Sequence, residues 1–253
     1  MAPNCEIRVI PVPLAGEILP GDDLAEKLAA ALRHQKLKLQ TGDVLVVKHK
    51  IVSKAEGLVV RLIGVTPSQS AKAWSRRTGA DARLVELALS EGKRIVRKQK
   101  GVLITQTRHG FVCANSGVDV SNVDGGKSAV LLPKDPDRSA ANLRTRLRSL
   151  FRADIAVIVC DSFGRPWREG LTEVAIGIAG MKPLIDYRGR HDPHGYALHA
   201  SFEAVADEVA CAAGLVCGKL NRTPVCIVRG FAFTSGRGSA RELIRPARND
   251  LFR

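Results

Sequence analysis

A chain of 253 residues with 45% hydrophobic content can bury a real core as one large domain or two small ones, which excludes a disordered chain. No apolar run approaches the roughly 18 residues a membrane span needs. The net charge of +14 points to anionic partners, yet aromatics are only 4% and no nucleic-acid motif is present, so nucleic acid is disfavoured against small polyanionic substrates.

The basic residues are dispersed, from Arg76-Arg77 through Lys93-Arg94 and Arg97-Lys98 to Arg144, Arg146 and Arg148, and read as solvated faces. MAPNCEIRVIPVPLAGEIL keeps Glu6 and Glu17 and lacks a long apolar core, so a signal peptide is not expected. The cysteines at 5, 113, 160, 211, 217 and 226 form no CxxC, and Cys113, Cys160 and Cys226 sit in apolar runs. Reduced, buried thiols in a cytoplasmic protein are the expectation.

In chain order, GDDLAEKLAAALRHQ predicts a helix capped by Asp22 or Asp23, with Leu24, Leu28, Ala31 and Leu32 at helical spacing. GDVLVVKHKIVSKAEG predicts a strand over 44–47 that runs into a polar loop. PSQSAKAWSRRTGADARLVELALSE predicts two short helices, with Trp74 as a core anchor. IVRKQKGVLITQTRHGFVCANSG predicts two strands, about 102–107 and 111–115, joined at His109-Gly110.

SAANLRTRLRSLF predicts a helix with Leu143, Leu147 and Leu150 on one face, and IAVIVC an apolar strand ending in Asp161. SFEAVADEVACAAGLVCGK predicts a helix with Phe202, Val205, Val209 and Ala213 facing in. PVCIVRG predicts a last strand, and residues 231–253 a polar, half-ordered tail. Strands and helices alternate, so the fold class is α/β or mixed α+β.

The stretch CANSGVDVSNVDGGKSAVLLPKDPD gathers Asn115, Asp119, Asn122, Asp124, Asp135 and Asp137. It is either one long turn-rich loop or a site for a cation and something bound to it. Asp119 and Asn122 are three apart, close enough to reach one site from a turn. No His or Cys accompanies them, which disfavours zinc and suits Mg²⁺ or Mn²⁺. SNVDGGKS matches the phosphate-loop pattern only at its last three places and lacks the preceding buried strand, so a chance match is expected.

Asp161 follows a buried strand, where open α/β sheets bind ligands. Ser162, a turn at Gly164–Arg165, and Arg168 come next. A carboxylate, a hydroxyl and guanidinium groups suit a metal-bound phosphate. The competing reading, a strand end whose carboxylate caps backbone amides, stays equally open on these residues alone. His49, Lys50, Ser53, Lys54 and Glu56 offer either a phosphate cradle or a hairpin with exposed lysines. DYRGRHDPHGYAL holds Asp186, Arg188, Arg190, His191, Asp192 and His194, and Pro193 and Gly195 favour a substrate-facing turn over a metal site.

KHKIVSKAEG, HGFVCANSGVDVSNV, LLPKDPDRSA, VIVCDSFGRPWREG, VAIGIAG and DYRGRHDPHGYAL, in that order, resemble the F420 γ-glutamyl ligase family over about residues 8–230. The resemblance implies an unusual α/β fold in an intertwined homodimer. It implies a cytoplasmic ligase that joins L-glutamate to F420-0 with GTP and Mg²⁺ or Mn²⁺, K⁺ being a further candidate cation. By the family pattern Asp119 and Asp161 ligate one divalent metal and Ser162 a second. Asn122, Lys54, the pair His49-Lys50, and the loop of Ala15, Gly16, Glu17 and Ile18 contact the nucleotide. Asp119, Asp161 and Arg168 are the expected catalytic residues.

The chain departs from the pattern in CGKLNR, where Lys219 stands in place of an acidic or amide residue and is expected at the nucleotide. Two alternatives remain open: a related nucleotide-dependent amino-acid ligase with another acceptor, and a non-catalytic nucleotide-binding relative.

Overall fold

The computed structural model describes residues 6–250; Cys5 lies outside them. In chain order the elements are β1 (Arg8–Val12), α1 (Leu24–His34), β2 (Val44–Lys48), α2 (His49–Ala55), β3 (Val59–Arg61), α3 (Gln69–Thr78), α4 (Ala82–Glu91), β4 (Gly92–Gln99), β5 (Val102–Thr107), β6 (Val112–Ala114), β7 (Ser128–Val130), α5 (Pro136–Phe151), β8 (Ala156–Arg165), β9 (Arg168–Ala179), β10 (Ile185–Asp186), β11 (Phe202–Glu203), α6 (Val205–Cys217) and β12 (Val225–Arg229).

The heart of the fold is a five-stranded mixed sheet in the order β1-β12-β2-β8-β9. β2 and β8 run parallel, and the other neighbours antiparallel. VLVVK and AVIVC carry apolar side chains without alternation, as strands covered on both faces require. Leu45, Val47, Val157 and Val159 face a core closed by Leu28 and Leu32 of α1 and Leu143 and Leu147 of α5. Val44, Val46, Ile158 and Cys160 face Val205, Val209 and Ala213 of α6. Gly177 of β9 lets α5 begin against the sheet, because a Cβ there would collide with the Pro136 carbonyl.

A second, smaller body lies outside this layer. β4, β5 and β6 form a three-stranded sheet, and α3 and α4 cover it around Ala71, Trp74, Val85, Ala88 and Leu103. β3 pairs with β7 and links this body to the main sheet. The tail is less polar in its packing than in its composition. Phe231, Phe233, Ala240 and Leu243 pack on the α6 side of the core, and Ser239 and Glu242 form a reciprocal capping box.

Four expectations are corrected. The stretch after β2 is the helix α2, not a loop or hairpin. β8 continues through Asp161 to Arg165, so the turn falls at Pro166-Trp167 and not at Gly164–Arg165. Gly92–Gln99, ahead of the two strands expected from about residue 102 onward, is a further strand, β4. Phe202 belongs to β11 and is exposed, because α6 starts only at Val205. Asp23 is the cap of α1, accepting from the Glu26 amide.

Candidate functional site

Where the parallel pairing of β2 and β8 stops, at Lys48 and Cys160, a cleft of ≈ 650 Å³ opens. This is where an α/β sheet exposes backbone and side chains to a ligand. Its floor comes from β2, β8 and β9, one wall from α2 and the 16–18 loop, another from residues 120–126, and a third from residues 217–224.

Register sets the floor. Lys48 of β2 pairs with Cys160 of β8, so the next residues along, His49 and Asp161, come side by side. His49 is buried, with Nε2 3.3 Å from Asp161 Oδ1 and Nδ1 3.4 Å from Ser53 Oγ. The Nε2 contact is close but not aligned as a hydrogen bond, which leaves that ring nitrogen unsatisfied among the described residues. Asp161 Oδ1 accepts from the Ser162 amide at 2.7 Å. The carboxylate therefore caps backbone and also faces the cleft.

The opposite wall is the Asp119–Gly126 turn. Lys50 Nζ reaches across to it, 2.6 Å from Asp119 Oδ2 and 2.6 Å from Ser121 Oγ, with the Ser121 carbonyl at 3.1 Å. Three acceptors saturate the ammonium. Burial pushes the Asp119 carboxyl up, but hydrogen bonds from Lys50 and Ser121 and the Lys50 charge outweigh it and hold Asp119 below its ordinary value. Asn122, Asp124, Gly125 and Gly126 turn in the left-handed region, with φ of 59°, 39°, 55° and 84°. Backbone held there is unusual for non-glycine residues and collects at functional sites.

Lys54 Nζ lies 2.9 Å from Glu17 Oε2, joining α2 to the 16–18 loop. Lys48 forms a largely buried ion pair with Glu173 of β9. Glu173 is the cross-strand partner of Ser162, and among the described residues its Oε2 has no hydrogen-bond partner. Lys219 Nζ donates to Ser162 Oγ at 3.3 Å.

The cleft thus gathers Gly16, Glu17, Ile18, His49, Lys50, Lys54, Asn122, Asp161, Ser162 and Lys219. Asp119 joins them through Lys50 and Ser121. Ala15 is absent from the lining. Arg168 lies apart, opposite Arg165 at the β8–β9 tip, four residues beyond Asp161 or about 13 Å along the strand.

Of the six oxygen donors in the 113–137 stretch, three serve the fold. Asn115 accepts from the Leu103 amide, Asp135 caps α5, and Asp137 binds the Ile178 and Ala240 amides and the Ser239 hydroxyl. Sequence reasoning missed Lys48, Glu173 and Arg222. Lys48 and Glu173 meet only through the β2–β8–β9 register, while Arg222 falls in the CGKLNR loop already marked by Lys219.

Among the described residues no three His, Cys, Asp or Glu side chains converge as a ready-made metal cage. Asp119 and Asp161 are hard oxygen donors from one wall and the floor, and this fits a cation of the Mg²⁺ class. Such cations take one or two carboxylates and complete their shell with substrate phosphates and water. The exposed 186–199 segment holds Asp186 and Arg188 as an ion pair at 2.8 Å, with the Arg188 guanidinium over Phe202. Its histidines form no metal cluster.

The sequence model of F420-0:Gamma-glutamyl ligase matches residues 14–230. A protein of Methanopyrus kandleri named Coenzyme F420:L-glutamate ligase is 45% identical over 252 residues, covering 98% of each chain. One of the same name from Methanothermobacter thermautotrophicus is 42% identical over 250 residues, again covering 98% of each. That of Archaeoglobus fulgidus is 39% identical over 248 residues, with 98% of this chain and 96% of the relative covered. The cleft beyond the β2–β8 pairing and the similarity along nearly the whole chain lead to one conclusion: the chain belongs to the F420-0:γ-glutamyl ligase family.

Proposed function

We propose that the chain joins L-glutamate to the lactyl carboxylate of F420-0, cleaving GTP to GDP and phosphate, with Mg²⁺ or Mn²⁺ held by Asp119 and Asp161 and K⁺ as a further candidate cation. The observation that carries this reading is the facing of lysines and carboxylates across one cleft at the ends of a parallel strand pair. That arrangement suits a triphosphate with its cation better than any neutral ligand. The whole-length relatives support the acceptor and the amino acid.

In this reading a carboxylate oxygen of the acceptor attacks the γ-phosphorus, GDP leaves, and an acyl phosphate results. The glutamate amine then attacks the acyl carbon, loses a proton, and expels phosphate. Such chemistry asks for positioning and charge neutralisation more than for a covalent group on the protein. Lys50 and Lys54 exchange their carboxylate partners for phosphate oxygens, and Asn122 and the left-handed 122–126 backbone offer further donors. The cation, when bound, supplies the remaining neutralisation of the triphosphate. Burial pushes the Cys217 thiol on the cleft wall up, so no thiolate nucleophile is offered at neutral pH.

Exposed Trp167, Leu171, Leu215 and Leu220 give the apolar surface that a homodimer of the proposed kind would cover. Among the described residues no helix is long and apolar enough to cross a membrane. Incubation with F420-0, GTP, Mn²⁺ and L-glutamate, followed by mass spectrometry, should show the acceptor gaining glutamyl residues with GDP formed in step. GDP release that requires glutamate but leaves F420-0 unchanged would shift the reading to a ligase with another acceptor. No nucleotide binding at all would sink both.

A further inference from the structure

Successive residues of a strand face opposite sides of a sheet, and this divides the floor of the cleft in two. Asp161 faces the side of α2, where His49 is its neighbour. Ser162 and Glu173 face the side of α6, where Lys48 holds Glu173 and Lys219 donates to Ser162.

The two sides differ in charge. Around Ser162 stand two ammonium groups, Lys48 and Lys219, against the single carboxylate of Glu173. Around Asp161 and Asp119 stand two carboxylates, a histidine ring, and Lys50, whose long stem lets it swing to a phosphate. Lys48, Lys50 and Lys54 each hold a carboxylate. Among the described residues Lys219 instead donates to a neutral hydroxyl.

We infer that Lys219 supplies the second positive charge of the cleft at Ser162, so that the protein binds one divalent cation per chain, on the Asp119–Asp161 side. The inference rests on the cation-dependent reading above and adds the number and place of the cations. A dication at Ser162 would share a small space with an ammonium already 3.3 Å from its ligand oxygen. An ammonium and a dication repel at such range. The Lys219 ammonium is free to neutralise a phosphate, and does so without the geometric demands of a metal shell.

The test is a Mn²⁺ titration of the full chain, saturated with a non-hydrolysable GTP analogue, by calorimetry and by the electron paramagnetic resonance of free Mn²⁺. The expected stoichiometry is one ion per chain in the wild type and in Lys219→Arg. Lys219→Gln, which removes the charge from an exposed loop, should bind a second ion at least tenfold more weakly than the first. Two ions in the wild type, or one ion in Lys219→Gln, would overturn the inference while leaving a cation-dependent ligase standing. Nucleotide bound with no ion in any of the three proteins would remove the inference and the cation-dependent reading together. Equal melting temperatures across the three guard against a folding defect.

Discussion

The five-stranded sheet and the β4–β6 body are both sheets covered by helices, yet they are built to different standards. β2, β12 and the first half of β8 are buried on both faces, and the packing around them is continuous from α1 through α5 to α6. β5 alternates buried and open positions, β4 is mostly exposed, and a handful of side chains around Trp74 hold the body together. A sheet sealed on both sides makes a rigid floor; one covered on a single side opens more readily. The cleft draws from both. Asp161, His49 and Ser162 stand on the rigid floor, whereas Asp119 to Gly126 hang on the turn that follows β6.

The sharpest way to break this comparison is at the floor. Asp161→Asn should lower glutamylation on the order of 10³-fold with an unchanged melting temperature, because an amide is a far weaker ligand for a hard dication. Near-native turnover by this variant would take Asp161 out of the chemistry.

The difference in build can be read by hydrogen exchange. Leu147→Ala should cost about 2–5 kcal/mol and reduce protection throughout β2 and β8. Trp74→Ala should cost about 3–5 kcal/mol locally and reduce protection in β5 while β2 and β8 keep theirs. Simultaneous loss in both regions for both variants would show one cooperative unit.

Lys54→Ala should raise the nucleotide KM by about 1.5–3 kcal/mol, roughly ten- to a hundred-fold, through a lost charge-assisted hydrogen bond. Unchanged GTP affinity in calorimetry would assign Lys54 to its Glu17 pair alone.

The smallest expected effect is in pH. Asp119 is held below its ordinary value when folded, so its contribution is present at neutral pH and is lost as pH falls through that lowered value. The side chain is partly open to solvent, so the wild type should exceed Asp119→Asn by about 0.5 kcal/mol at pH 7 and by nothing in acid. A gap that persists in acid urea titrations would locate the effect in packing and not in charge.

Much of this was legible beforehand. Apolar runs without alternation marked β2, β8 and β12, and helical spacing with a capping aspartate marked α1. The rest was hidden by tertiary effects. α2 has only seven residues, β-branched Ile51 and Val52, and no side-chain cap, so its helix owes more to packing against the core than to propensity. β4 lacks alternation because it is mostly exposed on both faces. Arg168 is seven residues beyond Asp161, a separation that a turn at Gly164–Arg165 would have folded back toward it, but the extended β8–β9 hairpin carries the two apart. Glu173 belongs to the cleft only through a cross-strand register that no local pattern announces.

The ladder β1-β12-β2-β8 also sets an order of events during synthesis. β1 lies near the start of the described chain and hydrogen-bonds to β12, with Arg8 opposite Arg229, and β12 separates β1 from β2. The middle strand of the first three is thus the last to leave the ribosome. Until it does, β1 has no neighbour and β2 has a bare edge, an aggregation hazard for strands this apolar. This sheet cannot close until β12 is made, and pairings so distant in sequence are slow to form. Truncated translation products of this protein should accordingly be sticky and rapidly degraded, however sound the rest of their sequence.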